Sequence, residues 1–120
     1  MQTKTVLVVE DEILIAMDIE MTLTEAGYRV IGPCHNVAEA EDRLRTERPG
    51  AAVLDVNLGR DETSAALARR LQAEGVPVVF LTGYAGPDDG LPGTLGDIPR
   101  LGKPIDVPRL LDLLGTMGGG

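Results

Sequence analysis

Strand-like runs and helix-like runs alternate along the whole of this chain, and that alternation admits few folds: it points to right-handed β-α-β units laid into a parallel sheet. Strands are expected at about 5–10, 28–32, 51–55, 77–82 and 98–102. Val6 to Val9, Ala51 to Leu54 and Val78 to Leu81 are apolar throughout, as suits strands covered by helices on both faces. Residues 28–32 are less apolar and belong nearer an edge, and Pro99, which has no N–H for a ladder, puts the fifth strand at the other edge. Helices are expected at about 12–26, 37–47, 61–74 and 106–115. Gly27 closes the first, and Asp106 caps the last ahead of a stripe of Val107, Leu110, Leu111 and Leu114. Between residues 85 and 97, Gly86, Gly90, Gly93 and Gly96 stand with Pro87 and Pro92. Each costs a helix interior about 1 kcal/mol for glycine and about 3 for proline, so this stretch is expected to be a loop with at most one or two helical turns.

The chain has 120 residues, enough for one domain with a single continuous core, expected over 1–117 with 118–120 as a flexible tail. A net charge of −8 argues against nucleic acid or an anionic membrane as partner, since both require a basic patch. Cys34 is the only cysteine, so no internal disulfide can form and a reducing, cytoplasmic setting is expected. No apolar stretch approaches the roughly 20 residues needed to span a bilayer. Lys4 is followed by five apolar or weakly polar residues before Glu10, too few for a signal peptide.

The chemistry gathers where the apolar runs stop. The first ends at Glu10 and Asp11, the third strand at Asp55, the fourth at Thr82, and the fifth just before Lys103. In an open parallel sheet these ends lie side by side, and ligands bind outside them. Carboxylates, a hydroxyl and an amine in one place suit phosphoryl transfer to a carboxylate assisted by a divalent cation. A hard cation such as Mg²⁺, held by Asp11 and Asp55 with Glu10 in support, would neutralise the incoming charge. Singly, each residue has a plainer explanation: acids after a strand at a helix N-terminus, Asp55 as a turn residue, Thr82 as a loop entry, Lys103 as a surface lysine.

Taken together, Glu10 and Asp11, Asp55, Thr82, and Lys103 with Pro104, each closing a strand, resemble the receiver domain of bacterial two-component response regulators, the CheY-like superfamily, from about Lys4 to Leu114. The resemblance implies a flavodoxin-like, doubly wound five-stranded sheet of order 2-1-3-4-5 with a weak fourth helix. It implies that Asp55 accepts a phosphoryl group from a histidine kinase or phosphotransfer protein, and that Asp11 and the Asn57 backbone carbonyl bind Mg²⁺. Thr82 and Lys103 would contact phosphoryl oxygens, and Pro104 would follow a cis peptide bond. Such a protein modifies only itself and is no enzyme with an outside substrate.

Two departures bear on the switch. Receivers usually carry an aromatic residue three positions before the lysine, where this chain has Arg100. Phe80 to Tyr84 resembles instead the "FAT GUY" subclass, with Leu81 in place of alanine and Tyr84 as the mobile aromatic. Tyr28 and Phe80 are read as core. On the first helix Ile15, Ile19, Leu23 and Ala26 are expected to face the sheet, and Leu14, Asp18 and Met21 form a separate stripe resembling the face offered to kinase helices. His35 is read as a surface histidine.

The expected output is phosphorylation-dependent binding of a downstream target protein. Alternatives are a phosphate shuttle or sink between kinases, a module of a longer regulator, or a non-phosphorylated pseudo-receiver. A phosphatase using Asp55 as nucleophile is disfavoured because Asn57 stands where its general acid is needed.

Overall fold

The computed structural model describes residues 4–56, 58, 64–82, 98–102 and 105–117. Five strands, β1 (Thr5–Val9), β2 (Arg29–Cys34), β3 (Ala51–Asp55), β4 (Val78–Thr82) and β5 (Arg100–Gly102), form one parallel sheet in the order β2-β1-β3-β4-β5. Four helices are described: α1 (Ile13–Glu25), α2 (Val37–Leu44), α3 (Ala65–Ala73) and α4 (Val107–Met117). The sheet order and both expected edges agree with the sequence reading. The weak helix expected across residues 85–97 lies outside the described residues, as do the 118–120 tail and residues 61–63 at the expected start of the third helix.

The period-two alternation of each strand divides its side chains between two cores. Leu7, Val9, Leu54 and Phe80 point to the side covered by Ala40 of α2 and Leu67 and Leu71 of α3. Val6, Val8, Val53 and Leu81 point to the side covered by Ile19 and Leu23 of α1 and Leu110 and Leu114 of α4. Because both faces are covered, β1, β3 and β4 have almost no polar positions until their carboxyl ends, where Asp55 and Thr82 close β3 and β4.

The ends of the helices follow local chemistry. Gly27, at φ +96, ends α1, with the Tyr28 N–H donating to the Leu23 carbonyl at 2.9 Å and the Gly27 N–H to Thr24 at 3.1 Å. The Asn36 side chain caps α2 by accepting the Glu39 N–H at 2.8 Å, and Asp106 caps α4 by accepting the Arg109 N–H at 3.2 Å. Helix α2 stops at Leu44 rather than running to residue 47, and the chain leaves it through a last turn in which the Thr46 and Glu47 N–H groups both donate to the Arg43 carbonyl, at 3.2 and 3.0 Å. On α1 the buried residues are Ala16, Ile19 and Leu23, while Ala26 is exposed: as the C-cap it sits where the chain is already leaving the sheet.

Strand β2 continues past residue 32 to Cys34 by way of a bulge. Leu7 pairs with Ile31 and Val9 with Cys34, so three steps on β2 match two on β1. Gly32 makes this possible at φ +105, where an added Cβ would lie 2.4 Å from the Cys34 nitrogen and 3.0 Å from the Val8 oxygen. The Gly32–Pro33 peptide bond is cis. Pro104, where the resemblance implies a cis bond, lies outside the described residues.

Candidate functional site

The end of β1, the turn into α1 and the end of β3 bring Glu10, Asp11 and Asp55 together, with one carboxylate oxygen from each lying within 4.8 Å of the others. Glu10 and Asp55 are buried and Asp11 is exposed, so the group is a pocket floor with one acid at its mouth. The sheet register explains the convergence. Val9 pairs with Leu54, so Glu10 and Asp55, the next residue along each chain segment, stand at the same level just past the end of the β1–β3 pairing. Thr82 is buried at the last position of the neighbouring strand, one step beyond the Asp55–Leu81 pair.

Glu10 is held from three directions. Its N–H donates to the Cys34 carbonyl at 2.9 Å, and its carboxylate accepts the Glu12 N–H at 3.1 Å as α1 begins. Its own carbonyl lies 3.3 Å from Nδ1 of His35. The plain explanation of an acid at a helix entry therefore holds for part of Glu10's role: one oxygen accepts the N–H of Glu12, the residue that leads into α1, near the positive end of the helix, where the macrodipole offsets some of the repulsion among the acids. His35 is exposed, as read from sequence, and rests against the Glu10 main chain. Burial pushes the neighbouring Cys34 thiol above its ordinary pKa, with Arg43 opposing that shift and Glu39 and Glu47 adding to it, so this cysteine stays a neutral core side chain.

The donor set is all carboxylate and includes no thiolate. Hard oxygen ligands at this spacing, two of them shielded from water, fit Mg²⁺ or a similar divalent cation, which is commonly bound by one or two carboxylates with water and phosphate completing the shell. Of the remaining residues assigned from sequence, Asn57, Tyr84, Lys103 and Pro104 lie outside the described residues.

One residue at the site was not singled out from sequence. Ser64 is fully buried, and its hydroxyl donates to the Asp55 carbonyl at 2.7 Å. The signal available was its place directly before the apolar spacing of Leu67 and Leu71, a helix-start position. Its side chain does not cap α3, however.

Arg100 occupies the strand position opposite Phe80, with its guanidinium carbon 5.9 Å from the ring centroid and Nη1 donating to the Ile98 carbonyl at 3.0 Å. Phe80 itself is buried, as expected for core, and Tyr28 packs against the α1 side of the sheet. On α1, Leu14 and Met21 are exposed as expected, and Ile13 and Met17 extend the same apolar surface.

Comparison with known proteins agrees with this architecture. The family described as response regulator receiver domain matches residues 6–114. The transcriptional regulatory protein PdtaR of Mycobacterium tuberculosis is 31% identical over 82 residues, covering 68% of this chain and 40% of PdtaR. The phyllosphere-induced regulator PhyR of Methylorubrum extorquens is 36% identical over 81 residues, covering 66% of this chain and 30% of PhyR. The chain thus spans less than half the length of either relative. The solution structure of SdrG from Sphingomonas melonis Fr1 superposes with a TM-score of 0.82 at 36% identity, covering 98% of both chains.

Proposed function

Because the chain belongs to the response regulator receiver domain family, we propose that it receives a phosphoryl group on Asp55 and signals through the protein contacts that this modification changes. One observation carries the reading: a buried aspartate at the end of a central strand, with two further carboxylates within 4.8 Å. An isolated buried carboxylate is costly, and two together with a third at the mouth are more so, unless the site serves to gather a cation and a phosphate.

In this reading Asp11 and Asp55 hold Mg²⁺ with Glu10 in support, and the Asn57 backbone carbonyl joins them. Bound there, the ion supplies charge neutralisation between the donor phosphate and the acceptor carboxylate. Asp55 contributes the attacking oxygen: it forms the new bond to phosphorus as the bond to the donor nitrogen or oxygen breaks, and the released donor carries away the electron pair. Thr82 and Lys103 contact the transferred group, and Tyr84 takes the part of the missing fifth-strand aromatic, in the manner of the "FAT GUY" subclass.

The donor partner is a histidine kinase or phosphotransfer protein in the cytoplasm. The exposed Leu14, Met17 and Met21 of α1, beside Asp11, are the surface on which its helices would rest. The protein acts on its own aspartate and has no outside substrate.

The test is incubation with Mg²⁺ and acetyl phosphate followed by intact mass. The parent gains one phosphoryl group; Asp55→Asn gains none, and chelation of the metal prevents the gain. A parent that remains unmodified under these conditions, or an Asp55→Asn protein modified as readily as the parent, overturns the reading and favours a pseudo-receiver.

A further inference from the structure

The peptide group that follows Asp55 is held on both of its edges. Its N–H, belonging to Val56, donates to the Leu81 carbonyl of β4 at 2.9 Å. In a trans peptide the carbonyl points the opposite way, so the Asp55 oxygen faces the β1 side, where the paired register has already ended at Val9 and Leu54. There the Ser64 hydroxyl, nine residues further along the chain and fully buried, donates to it at 2.7 Å. The Ser64 N–H meanwhile donates to the Val56 carbonyl at 3.1 Å, and the Ser64 carbonyl accepts the Ala68 N–H at 2.9 Å to begin α3. A single serine therefore ties two successive carbonyls at the end of β3 to the first turn of a helix that is itself packed into the core.

We propose that Ser64 is a positioning residue for phosphoryl transfer: by fixing the Asp55–Val56 peptide plane it fixes the direction in which the Asp55 side chain leaves the strand. This rests on Asp55 being the acceptor. The Ser64 hydroxyl has one proton to give and gives it to the main chain, so it takes no part in the bond-making step. Its contribution is geometric. In-line attack requires the carboxylate oxygen and phosphorus to meet in a narrow range of distance and angle, and a misplacement of about 1 Å can cost roughly a hundredfold in rate. A peptide clamped at its N–H alone can rock about the β4 bond, carrying the Asp55 Cα and carboxylate with it. Clamped at both edges, it cannot.

The experiment compares the parent with Ser64→Ala, Ser64→Thr and Ser64→Cys, each as the full chain, at saturating Mg²⁺ and acetyl phosphate and well below the Tm of the least stable variant. Folding is checked by circular dichroism, and the Mg²⁺ half-saturation is measured alongside the rate. Ser64→Ala is expected to take up phosphate about tenfold more slowly than the parent, a loss in the maximal rate that added Mg²⁺ does not recover. Ser64→Thr, which keeps the hydroxyl, restores the rate to within about threefold, and Ser64→Cys, with its weaker donor, falls between.

A purely structural serine would lower Tm and leave the rate of the folded protein unchanged. Ser64→Ala at the parental rate, or Ser64→Thr as slow as Ser64→Ala, therefore overturns the inference while leaving Asp55 as acceptor. If Ser64→Ala does not fold, the order of Thr above Cys decides in its place, equal rates overturning the inference. If the parent itself takes up no phosphate, the acceptor reading fails first and this inference falls with it.

Discussion

The two ends of the sheet treat charge in opposite ways. Near the amino end, Glu47 lies 2.5 Å from Arg43 and 3.5 Å from Arg29, while Arg70 sits 3.2 Å from Glu74 and 3.6 Å from Glu41. Opposite charges alternate there, and all are at least partly in water. At the carboxyl end, like charges converge: Glu10, Asp11 and Asp55 bring their oxygens within 4.8 Å, and two of the three are buried. At that separation and an effective dielectric of about 20, two full charges repel by roughly 3 kcal/mol. The amino-end pattern is what solubility and modest stabilisation produce on any surface. The carboxyl-end pattern opposes folding, so its explanation has to lie in what the site binds.

The contrast is broken most completely at Asp55. Asp55→Asn keeps the shape of the side chain and removes its charge and nucleophilicity, and phosphoryl uptake read by intact mass is expected to vanish altogether. Arg43→Ala, at the opposite end, should take up phosphate at the parental rate. Next in size is the response to metal. An ion that binds the folded state alone stabilises it by about 2.7 kcal/mol at a hundredfold excess over its Kd. Mg²⁺ should therefore raise the parent's Tm by several degrees in a thermal-shift measurement, and the rise should persist in Arg43→Ala and disappear in Asp11→Asn.

Without metal, the same Asp11→Asn protein should be more stable than the parent. The gain is at most about 1 kcal/mol, because Asp11 is exposed and water already screens its repulsion. An unchanged or lower Tm in metal-free buffer would show that neighbouring positive groups already balance the acids.

How far the sequence announced these two ends depends on the reach of each interaction. The sheet order came from the resemblance to receiver domains, whereas the acidic trio was legible from one rule of local pattern. A buried strand is apolar until it ends, and parallel strands end together, so Glu10, Asp11, Asp55 and Thr82 could be placed at one edge without knowing any contact. Ala26 was misplaced on α1 because helical spacing continues past the point where the helix leaves its sheet, and spacing alone does not say where that is. The run of β2 through Pro33 to Cys34 was missed because a bulge depends on the close approach of Val8 to Gly32 across the strands. Ser64 was passed over for a related reason. A hydroxyl that reaches back nine residues to a main-chain oxygen leaves no periodic trace, and the helix expected over 61–74 placed Ser64 within its first turn rather than ahead of it.

The smallest effect belongs to the amino end and completes the comparison through its pH dependence. The hydrogen bond from Arg43 holds the Glu47 carboxyl below the usual carboxylate range, with the charges of Arg43 and Arg29 adding to it and desolvation opposing. An unfolded Glu47 titrates near 4.3, so within the window below that value the unfolded chain binds a proton that the folded chain refuses. The stabilisation is thus fully present at neutral pH and is lost as pH falls through the lowered folded value. Glu47→Gln should be slightly less stable than the parent near pH 7, and the difference should shrink as the pH falls below the usual carboxylate range, as it should in high salt at neutral pH. Because the group faces water, the difference in Tm will be small at every pH. A difference that instead grew on acidification would mean that Glu47 is held by packing rather than by its arginines, and the two ends of the sheet would then be less unlike than their charges suggest.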